Sequence, residues 1–269
     1  MQAFAFTTPT TLAEAVRLAT EEDAKYLAGG QTLLQSMKLG LIEPSTVIDL
    51  AAIGELKGIC RTFNGGVNGG VNSILIGGGC THAEVAASPE VLAAIPALAD
   101  LAGHIGDRQV RNRGTLGGSL ANNDPAACYP AAVLGLGATV HTHQRQIAAD
   151  DFFLGLFSTA LHDGEIVTGV SFPVPEHAGW QKFKQPASRF SLVGVFVSRG
   201  SAGVRVAVTG AGAGGVFRAT SLEALLAADY RAAALAGASV PADNLNSDLH
   251  GSAAYRAALI PVLAARAVG

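Results

Sequence analysis

Apolar positions recur with two different periods in the N-terminal part of the chain. Residues 11–20 place apolar side chains at helical spacing, with charged positions between them, and predict an amphipathic helix. Two short apolar runs, 25–28 and 46–50, predict β-strands. Between these strands, residues 33–39 predict a second helix that ends at Gly40. This part of the chain is therefore expected to combine short strands with short helices.

The middle of the chain begins with a predicted hairpin. Two β-type segments, 59–63 and 73–76, flank the run 64–72, in which asparagine and glycine dominate. Because Asn and Gly adopt positive φ readily and no helix follows, this run predicts an expanded hairpin turn rather than a phosphate-binding loop. The other predicted elements are helices over 81–87, 91–95 and 97–103, and strands over 138–143 and 165–172. An Ala- and Leu-rich segment, 129–134, lies between the last helix and these strands.

Two prolines, Pro173 and Pro175, mark the predicted boundary between a domain of residues 1–175 and a C-terminal domain of residues 176–269. Strands mix with helices on both sides of it, without the regular alternation of a doubly wound sheet, so the predicted fold class is α+β. The predicted C-terminal elements are a strand pair over 190–199 and 203–209 and helices over 221–228, 230–236 and 253–267.

Charge and cysteine content narrow the classes of function. Lys and Arg number 18 against 21 Asp and Glu, so no polybasic surface predicts binding to nucleic acid. No stretch supplies the about 20 uninterrupted apolar residues of a membrane-spanning helix, and no basic leader precedes an apolar core. The cysteines, Cys60, Cys80 and Cys128, form no C-x-x-C pair, which argues against a zinc site or an iron–sulfur cluster held by this chain. We expect buried thiols in a reducing cytoplasm.

Charged residues make up only 14% of the chain, and glycine accounts for 33 of 269 residues. Typical soluble domains contain about 25% charged residues and about 7% glycine. Either partner chains cover much of the surface, or the backbone approaches a ligand closely. Composition alone leaves both explanations open.

Two segments combine paired glycines with hydroxyl or amide side chains. Backbone N–H groups of such loops can approach an anion closely, and Thr or Ser hydroxyls add short donors. No lysine follows either glycine pair, which excludes a nucleotide-hydrolysing P-loop, and the spacing lacks G-x-G-x-x-G. A phosphate-bearing ligand and tight structural turns both remain open. The first segment comprises Leu27, Ala28, Gly29, Gly30, Gln31, Thr32 and Leu33, and the second comprises Thr115, Gly117, Gly118 and Ser119, followed by Asn122 and Asp124.

The order and spacing of these motifs carry a family resemblance. Four segments follow one another along the chain in the same order as in one known family. They are the first glycine loop, then residues 106–119, then 124–127 and then 183–189. Together they resemble the FAD-binding medium subunits of molybdenum hydroxylases, which include aerobic carbon monoxide dehydrogenases and multi-subunit xanthine dehydrogenase-like enzymes. The resemblance covers essentially the whole chain.

The resemblance implies a fold as well as a family. It implies a two-lobed FAD-binding domain of the vanillyl-alcohol oxidase-like (PCMH) type, with lobes of about 1–55 and 56–175. A small C-terminal α+β domain with an antiparallel sheet and helices is expected to follow over 176–269.

The resemblance also implies which residues contact the phosphates and the ribose. In the family the two glycine loops, 27–33 and 115–119 here, grip the FAD pyrophosphate, whereas Asn122 and Asp124 match positions that contact the ribose and AMP half. The arginines within 108–113 are open to pairing with phosphate, to pairing with a partner subunit, or to simple solvation.

A second group of positions is implied to surround the isoalloxazine ring. Ile105 and Val167 match positions that pack on the ring, and Lys184 matches one that lies near it. A cation there would stabilise the negative charge of reduced flavin and raise its potential. The alternative for Lys184 is an exposed strand lysine. Phe190 lies where some relatives place an aromatic over the flavin, and ordinary core packing is its alternative.

One position departs from the family pattern. Cys128 stands where many relatives have an aspartate. If that carboxylate holds the ribose, a thiol cannot replace its hydrogen bonds, and Asp124 would carry more of the task.

The implied function is electron transfer within a larger complex. The substrate would be oxidised at a molybdenum cofactor in a large partner subunit, and 2Fe-2S clusters in a small partner subunit would pass electrons to FAD in this chain. FAD would then deliver them to an external acceptor, so no catalytic residue and no metal ligand is expected here. The implied assembly is a dimer of heterotrimers in the cytoplasm, either free or peripheral at the inner membrane face.

The substrate and two alternatives stay open. The match over 185–197 and the C-terminal segment favours a carbon monoxide dehydrogenase-like complex, with xanthine, aldehyde and N-heterocycle dehydrogenases as further options. A self-sufficient FAD-dependent oxidoreductase and a scaffold that has lost FAD are the alternatives from other classes.

Overall fold

The computed structural model describes residues 2–20, 23–63, 71–201 and 203–269. Its N-terminal elements are β1 (Ala5–Thr7), α1 (Leu12–Leu18), β2 (Ala24–Leu27), α2 (Leu33–Lys38) and β3 (Thr46–Asp49). The three strands form a parallel sheet in the order β1-β3-β2. Helix α1 begins after Thr11, whose hydroxyl accepts a hydrogen bond from Glu14 N at 3.2 Å. The helices and strands predicted for this part are confirmed.

A five-stranded antiparallel sheet forms the centre of the molecule. Its strands are β4 (Ile59–Phe63), β5 (Val71–Gly77), β6 (Thr139–Thr142), β7 (Gln146–Ala148) and β10 (Val167–Pro173), and a separate pair consists of β8 (Phe153–Gly155) and β9 (Ser158–Thr159). The order is β4-β5-β10-β6-β7, so β10 lies between strands that precede it by many residues. Antiparallel pairing of β4 with β5 confirms the predicted strand pair. The turn predicted between them lies outside the described residues over 64–70.

Short helices pack on this sheet and on one another. They are α3 (His82–Ala87), α4 (Pro89–Ala94), α5 (Pro96–Gly103), α6 (Arg108–Arg111), α7 (Leu116–Asn122), α8 (Tyr129–Gly135) and α9 (Ala149–Phe152). Ile76 and Val170 of the sheet share one fully buried core with Leu98 and Leu101 of α5. Burial of this apolar surface holds the helices on the sheet.

The C-terminal part is a four-stranded antiparallel sheet with two helices. Its elements are β11 (His177–Lys184), β12 (Ser191–Gly200), β13 (Gly203–Thr209), β14 (Phe217–Arg218), α10 (Thr220–Ala228) and α11 (Ala253–Val268). The β12–β13 hairpin and both helices confirm the predictions, whereas β11 was not predicted. Residues 230–236 form only a 3-10 helix, Ala232–Leu235, because so short a segment is marginal as an α-helix.

Strand β12 joins the C-terminal sheet to the rest of the molecule. Its first eight residues are buried on both faces. Val195 and Val197 belong to the core formed with α10 and α11, and Phe196 belongs to the core of the central sheet. Trp180 of β11 also packs into the central core. The arrangement fixes β11 against the segments that follow α5 and α7, and the fold is α+β as predicted.

Cysteine burial differs from expectation at one position. Cys80 and Cys128 are buried, but Cys60 is exposed because it lies on the edge strand β4. Within the described ranges, no helix has the length and apolar character needed to cross a membrane. The same residues include no group of three His, Cys, Asp or Glu side chains suited to a metal ion.

Candidate functional site

Most of the residues that the sequence singles out line one cavity of about 820 Å³. Its lining comes from the β2–α2 segment, the turn after β5, the segment 105–128, and strands β10 and β11. The predicted site residues that line it are Ala28, Gly29, Gly30, Gln31, Thr32, Leu33, Ile105, Thr115, Gly117, Gly118, Ser119, Asn122, Asp124 and Val167. Two do not: Leu27 is buried in a small core with Met37 and Val47, and Lys184 lies outside the lining.

The first glycine loop is open towards the cavity. Gly30 has φ +73°, a conformation that favours glycine, and a Cβ at Gly29 would overlap the carbonyl oxygen of Arg113. Gln31 and Thr32 are exposed, and Thr32 makes no side-chain capping hydrogen bond to α2. The first backbone N–H groups of α2 therefore donate no hydrogen bond to the hydroxyl of Thr32.

The second glycine loop is closed by hydrogen bonds within the protein. Thr115 caps α7, since its hydroxyl accepts from Gly118 N at 3.2 Å. Leu116 N donates to Cys80 O at 3.0 Å, and Gly117 N donates to Gly78 O at 2.8 Å. The amides that the glycine pattern offers to an anion are thus bonded to protein oxygens, and this loop uses its glycines for close packing.

A third glycine run, Gly77-Gly78-Gly79, escaped the sequence interpretation although it was visible as three glycines after a predicted strand. Gly78 and Gly79 line the cavity, and Gly79 O accepts from Lys57 Nζ at 2.7 Å. A Cβ at Gly78 would overlap the carbonyl oxygen of Val167, and one at Gly117 would lie 2.8 Å from Gly78 O. The run brings β10 and α7 close together.

Asn122 and Asp124 line the cavity at the end of α7. The residue between them, Asn123, adopts φ +43° and is 3% exposed. Its Nδ2 donates to Gly155 O and to Ser158 O, each at 2.8 Å, which fixes this turn. One carboxylate oxygen of Asp124 accepts from Ala126 N at 2.8 Å, so Asp124 shapes the backbone while facing the cavity.

Of the two lysines at the end of β11, Lys182 lines the cavity and Lys184 does not. Lys182 Nζ donates to His104 O at 3.0 Å and to Cys128 Sγ at 3.3 Å. Lys184 is exposed, and the pairing of β11 with β12 shifts register between Phe183 and Lys184. Residues two apart on a strand share a face, so the sequence pattern could not separate the two lysines, and the bulge does.

The aromatic and arginine residues that the sequence singled out differ in whether they line the cavity. Phe190 is 50% exposed and lines the cavity, so core packing does not account for it. Arg113 lines the cavity, whereas Arg111 donates through one nitrogen to Ile105 O at 3.1 Å and to Gly106 O at 3.2 Å. Arg108 is exposed and is not part of the lining.

Cations outnumber carboxylates in the lining, although the whole chain has a formal charge of -3. Glu165, one of the acids, is already neutralised by Arg145, with nitrogen–oxygen distances of 3.0 Å on both carboxylate oxygens. These hydrogen bonds hold the pKa of Glu165 at about 2. The charged lining residues are Lys25, Lys57, Arg113, Lys182 and Arg189 against Asp124 and Glu165. The cavity therefore suits an anionic ligand.

A buried histidine lines the cavity beside the second loop. His82 lines the cavity and is 5% exposed, and its ring lies 5.3 Å from the ring of Tyr129. Burial, with a smaller effect from the charge of Arg111, lowers the pKa of His82 to about 4. The imidazole is uncharged at neutral pH and packs against Gly114, where a Cβ would lie 2.5 Å from its Nε2.

Comparison with known proteins identifies the family of this chain. The family described as "FAD binding domain in molybdopterin dehydrogenase" matches residues 2–175, and the chain belongs to that family. This match, together with the relatives below, confirms the predicted resemblance to FAD-binding medium subunits of molybdenum hydroxylases.

Several relatives match over nearly their whole length. The chain is 36% identical to the nicotine 6-hydroxylase medium subunit of Paenarthrobacter nicotinovorans, over 100% of this chain and 97% of that protein. It is 31% identical to the carbon monoxide dehydrogenase medium chain of Hydrogenophaga pseudoflava, over 98% and 96%. The solved structure of quinoline 2-oxidoreductase from Pseudomonas putida 86 superimposes with a TM-score of 0.86 at 28% identity, covering 99% of this chain and 96% of that one.

Proposed function

We propose that the cavity binds FAD and that the chain carries electrons within a molybdenum hydroxylase complex. The observation that carries the proposal is the joint lining of one cation-rich cavity by the first glycine loop, the α7 segment and Asp124. FAD accepts and releases electrons singly or in pairs, which is the chemistry needed between one-electron clusters and an external acceptor.

The lining offers separate surfaces for the parts of FAD. In the proposal, the backbone N–H groups of Gly29 and Gly30 donate hydrogen bonds to the pyrophosphate, and Arg113 pairs with its negative charge. Asp124 accepts from ribose hydroxyls. Ile105 and Val167 pack on the isoalloxazine ring. Ser119 and Asn122 supply further polar contacts from α7.

The complex itself is proposed from the relatives. The two relatives above are named as a medium subunit and a medium chain, so we propose that this chain assembles with a molybdopterin-binding large subunit and an iron–sulfur small subunit. We further propose a dimer of heterotrimers, a cytoplasmic location, and a division into residues 1–175 and 176–269. A self-sufficient oxidoreductase is not favoured, because these relatives are parts of larger enzymes.

The proposed substrate is oxidised in the large subunit. Identity to the nicotine 6-hydroxylase medium subunit, 36%, exceeds identity to the carbon monoxide dehydrogenase medium chain, 31%. Carbon monoxide and an N-heterocycle such as nicotine are therefore both proposed as substrates of the complex.

A glycine pair with matched backbone strain tests the cofactor site. Gly30 and Gly40 have φ of +73° and +68°, and of the two only Gly30 lines the cavity. A Cβ at Gly30 would lie 2.8 Å from Leu34 Cδ1, at the end of a flexible side chain, and one at Gly40 would meet nothing within 4 Å. Alanine costs each position about 1–2 kcal/mol of backbone strain. We expect Gly30→Ala to weaken FAD binding at least tenfold and Gly40→Ala to leave it unchanged. Flavin absorbance and titration of the FAD-free chain measure both, and equal flavin content in both variants would refute the site.

A further inference from the structure

Two buried polar atoms beside the cavity have no hydrogen-bond partner among the described residues. They are Nδ1 of His82 and the hydroxyl oxygen of Tyr129. His82 is 5% exposed, Tyr129 is fully buried, and their rings lie 5.3 Å apart. Because burying a polar atom without a partner is costly, packing alone does not account for this pair.

Both side chains are uncharged at neutral pH, which limits what each can donate. Burial raises the pKa of Tyr129 well above its ordinary value and is the main cause that lowers the pKa of His82 to about 4. The phenol therefore keeps its O–H donor. The imidazole has one N–H and one lone pair, and the neighbouring groups decide which nitrogen holds the proton.

The surroundings of the ring favour one tautomer of His82. Nδ1 is wholly buried, and Tyr129 is the aromatic neighbour that supplies an O–H group. A lone pair on Nδ1 can accept from Tyr129 through one buried water, which would satisfy both unpartnered atoms at once. The proton of the imidazole then lies on Nε2.

Nε2 of His82 lies where a glycine leaves space beside the cavity. Nε2 and Cδ2 are the ring atoms nearest to Gly114, and a Cβ there would lie 2.5 Å from Nε2. His82 N donates to Gly114 O at 2.9 Å, which fixes the histidine beside this residue. Gly114 and Arg113 both line the cavity, and the carbonyl of Arg113 lies against Gly29. Nε2 therefore lies close to the place where the two glycine loops approach each other.

We propose that His82 binds the pyrophosphate of FAD through Nε2–H, and that Tyr129 is the positioning residue that keeps the lone pair on Nδ1. The inference rests on the proposed function, which assigns the pyrophosphate to the first glycine loop and Arg113. Glycine is required at position 114 because a side chain would fill the space through which a phosphate oxygen reaches Nε2. His82 adds a neutral donor to the charge of Arg113, and a hydrogen bond to an anion is stronger than one between neutral groups.

The first test compares ligand affinities of the full-length FAD-free chain. His82→Leu should weaken FAD and ADP by the same factor, about tenfold or more, because ADP carries the pyrophosphate without the flavin. His82→Gln should stay within about threefold of the wild-type chain, since the side-chain N–H of glutamine can replace Nε2–H. His141→Leu is the matched control, because His141 is half-buried and bonded to Ser171 Oγ at 2.7 Å but does not line the cavity. It should leave both affinities unchanged.

The second test separates the role of Tyr129 from affinity. The NMR shifts of imidazole nitrogens distinguish a nitrogen that carries a proton from one with a lone pair, and the signals missing from His82→Gln identify those of His82. We expect the Nε2–H tautomer in the FAD-loaded wild-type chain and a mixture of both tautomers in FAD-loaded Tyr129→Phe.

Three results overturn the inference. The first is weaker FAD binding with unchanged ADP binding in His82→Leu, which would place the histidine at another part of the cofactor. The second is an equal effect of His82→Leu and His82→Gln on both ligands. The third is an Nδ1–H tautomer in the FAD-loaded wild-type chain, and this measurement decides the question where His82→Leu does not fold. A wild-type chain that binds neither FAD nor ADP would instead overturn the proposed function, and the inference with it.

Discussion

The two glycine loops look alike in sequence and differ in the folded chain. The first leaves Gln31 and Thr32 exposed and its helix without a side-chain cap. The second buries Thr115, caps α7 with it, and bonds the next two amides to Cys80 O and Gly78 O. Paired glycines permit close approach of backbone in both places. Both loops approach the protein's own backbone, since Gly29 lies against Arg113 O and Gly117 against Gly78 O. They differ in their helix caps: the second loop caps its helix with Thr115, and the first leaves Thr32 without a capping hydrogen bond.

The difference explains why a glycine motif alone is weak evidence for phosphate binding. The motif specifies a backbone without Cβ atoms, but it does not specify what fills the space. That depends on segments such as Gly77-Gly78-Gly79, which are far away in sequence and adjacent in space. Three changes test whether the contrast between the loops holds.

Gly117→Val should have the largest effect and should act through stability. A Cβ there would lie 2.8 Å from Gly78 O in a buried position. Overpacking of this kind costs about 1–3 kcal/mol, and loss of the Gly117 N to Gly78 O hydrogen bond adds about 1 kcal/mol. We expect the free energy of unfolding of the FAD-free chain to fall by about 3 kcal/mol in urea titration. Unchanged stability with lost FAD would show that the second loop serves the ligand instead.

Acidification should destabilise the side of the cavity that holds the second loop. His82 N donates to Gly114 O at 2.9 Å, and burial lowers the pKa of His82 to about 4 from an ordinary value of about 6.5. Because the folded pKa is the lower one, the unfolded chain takes up the proton first, and stability is lost as pH falls from 6.5 towards 4.

The expected loss between pH 7 and pH 5 is about 2 kcal/mol, from about 1.4 kcal/mol per pKa unit. Urea titrations of the FAD-free chain at both pH values measure it. His82→Leu should remove this part of the pH dependence whatever its effect at pH 7. An identical dependence in the variant would assign the acid sensitivity to other groups.

The threonines that precede α2 and α7 give the smallest and most direct contrast. Thr115→Ala removes a side-chain cap and should cost about 1 kcal/mol, whereas Thr32→Ala removes none and should change the stability of the FAD-free chain by only a few tenths. Thermal unfolding of the two variants measures the difference. Equal losses would mean that both helices are capped in the same way.

Sequence patterns alone predicted many of the helices and strands correctly. The helical spacing in 11–20 and the alternation in 203–209 are local, so α1 and β13 follow from a few neighbouring residues. Strand β11 was missed because its mixed sequence has no clean alternation, and its place depends on pairing with β12. The 3-10 helix at Ala232–Leu235 shows the converse, since local helix formers were not enough.

The sequence by itself determined the family, the α+β class and most residues of the cavity lining, because glycine motifs and apolar periods are written in adjacent residues. Only the tertiary structure decided which lysine of β11 lines the cavity, which loop keeps its amides open and what Cys128 contacts. Each of these depends on a strand register or a hydrogen-bond acceptor supplied from far along the chain, as Gly78 O is for Gly117 N and His104 O is for Lys182 Nζ. Partners so distant in sequence meet only when the chain has folded.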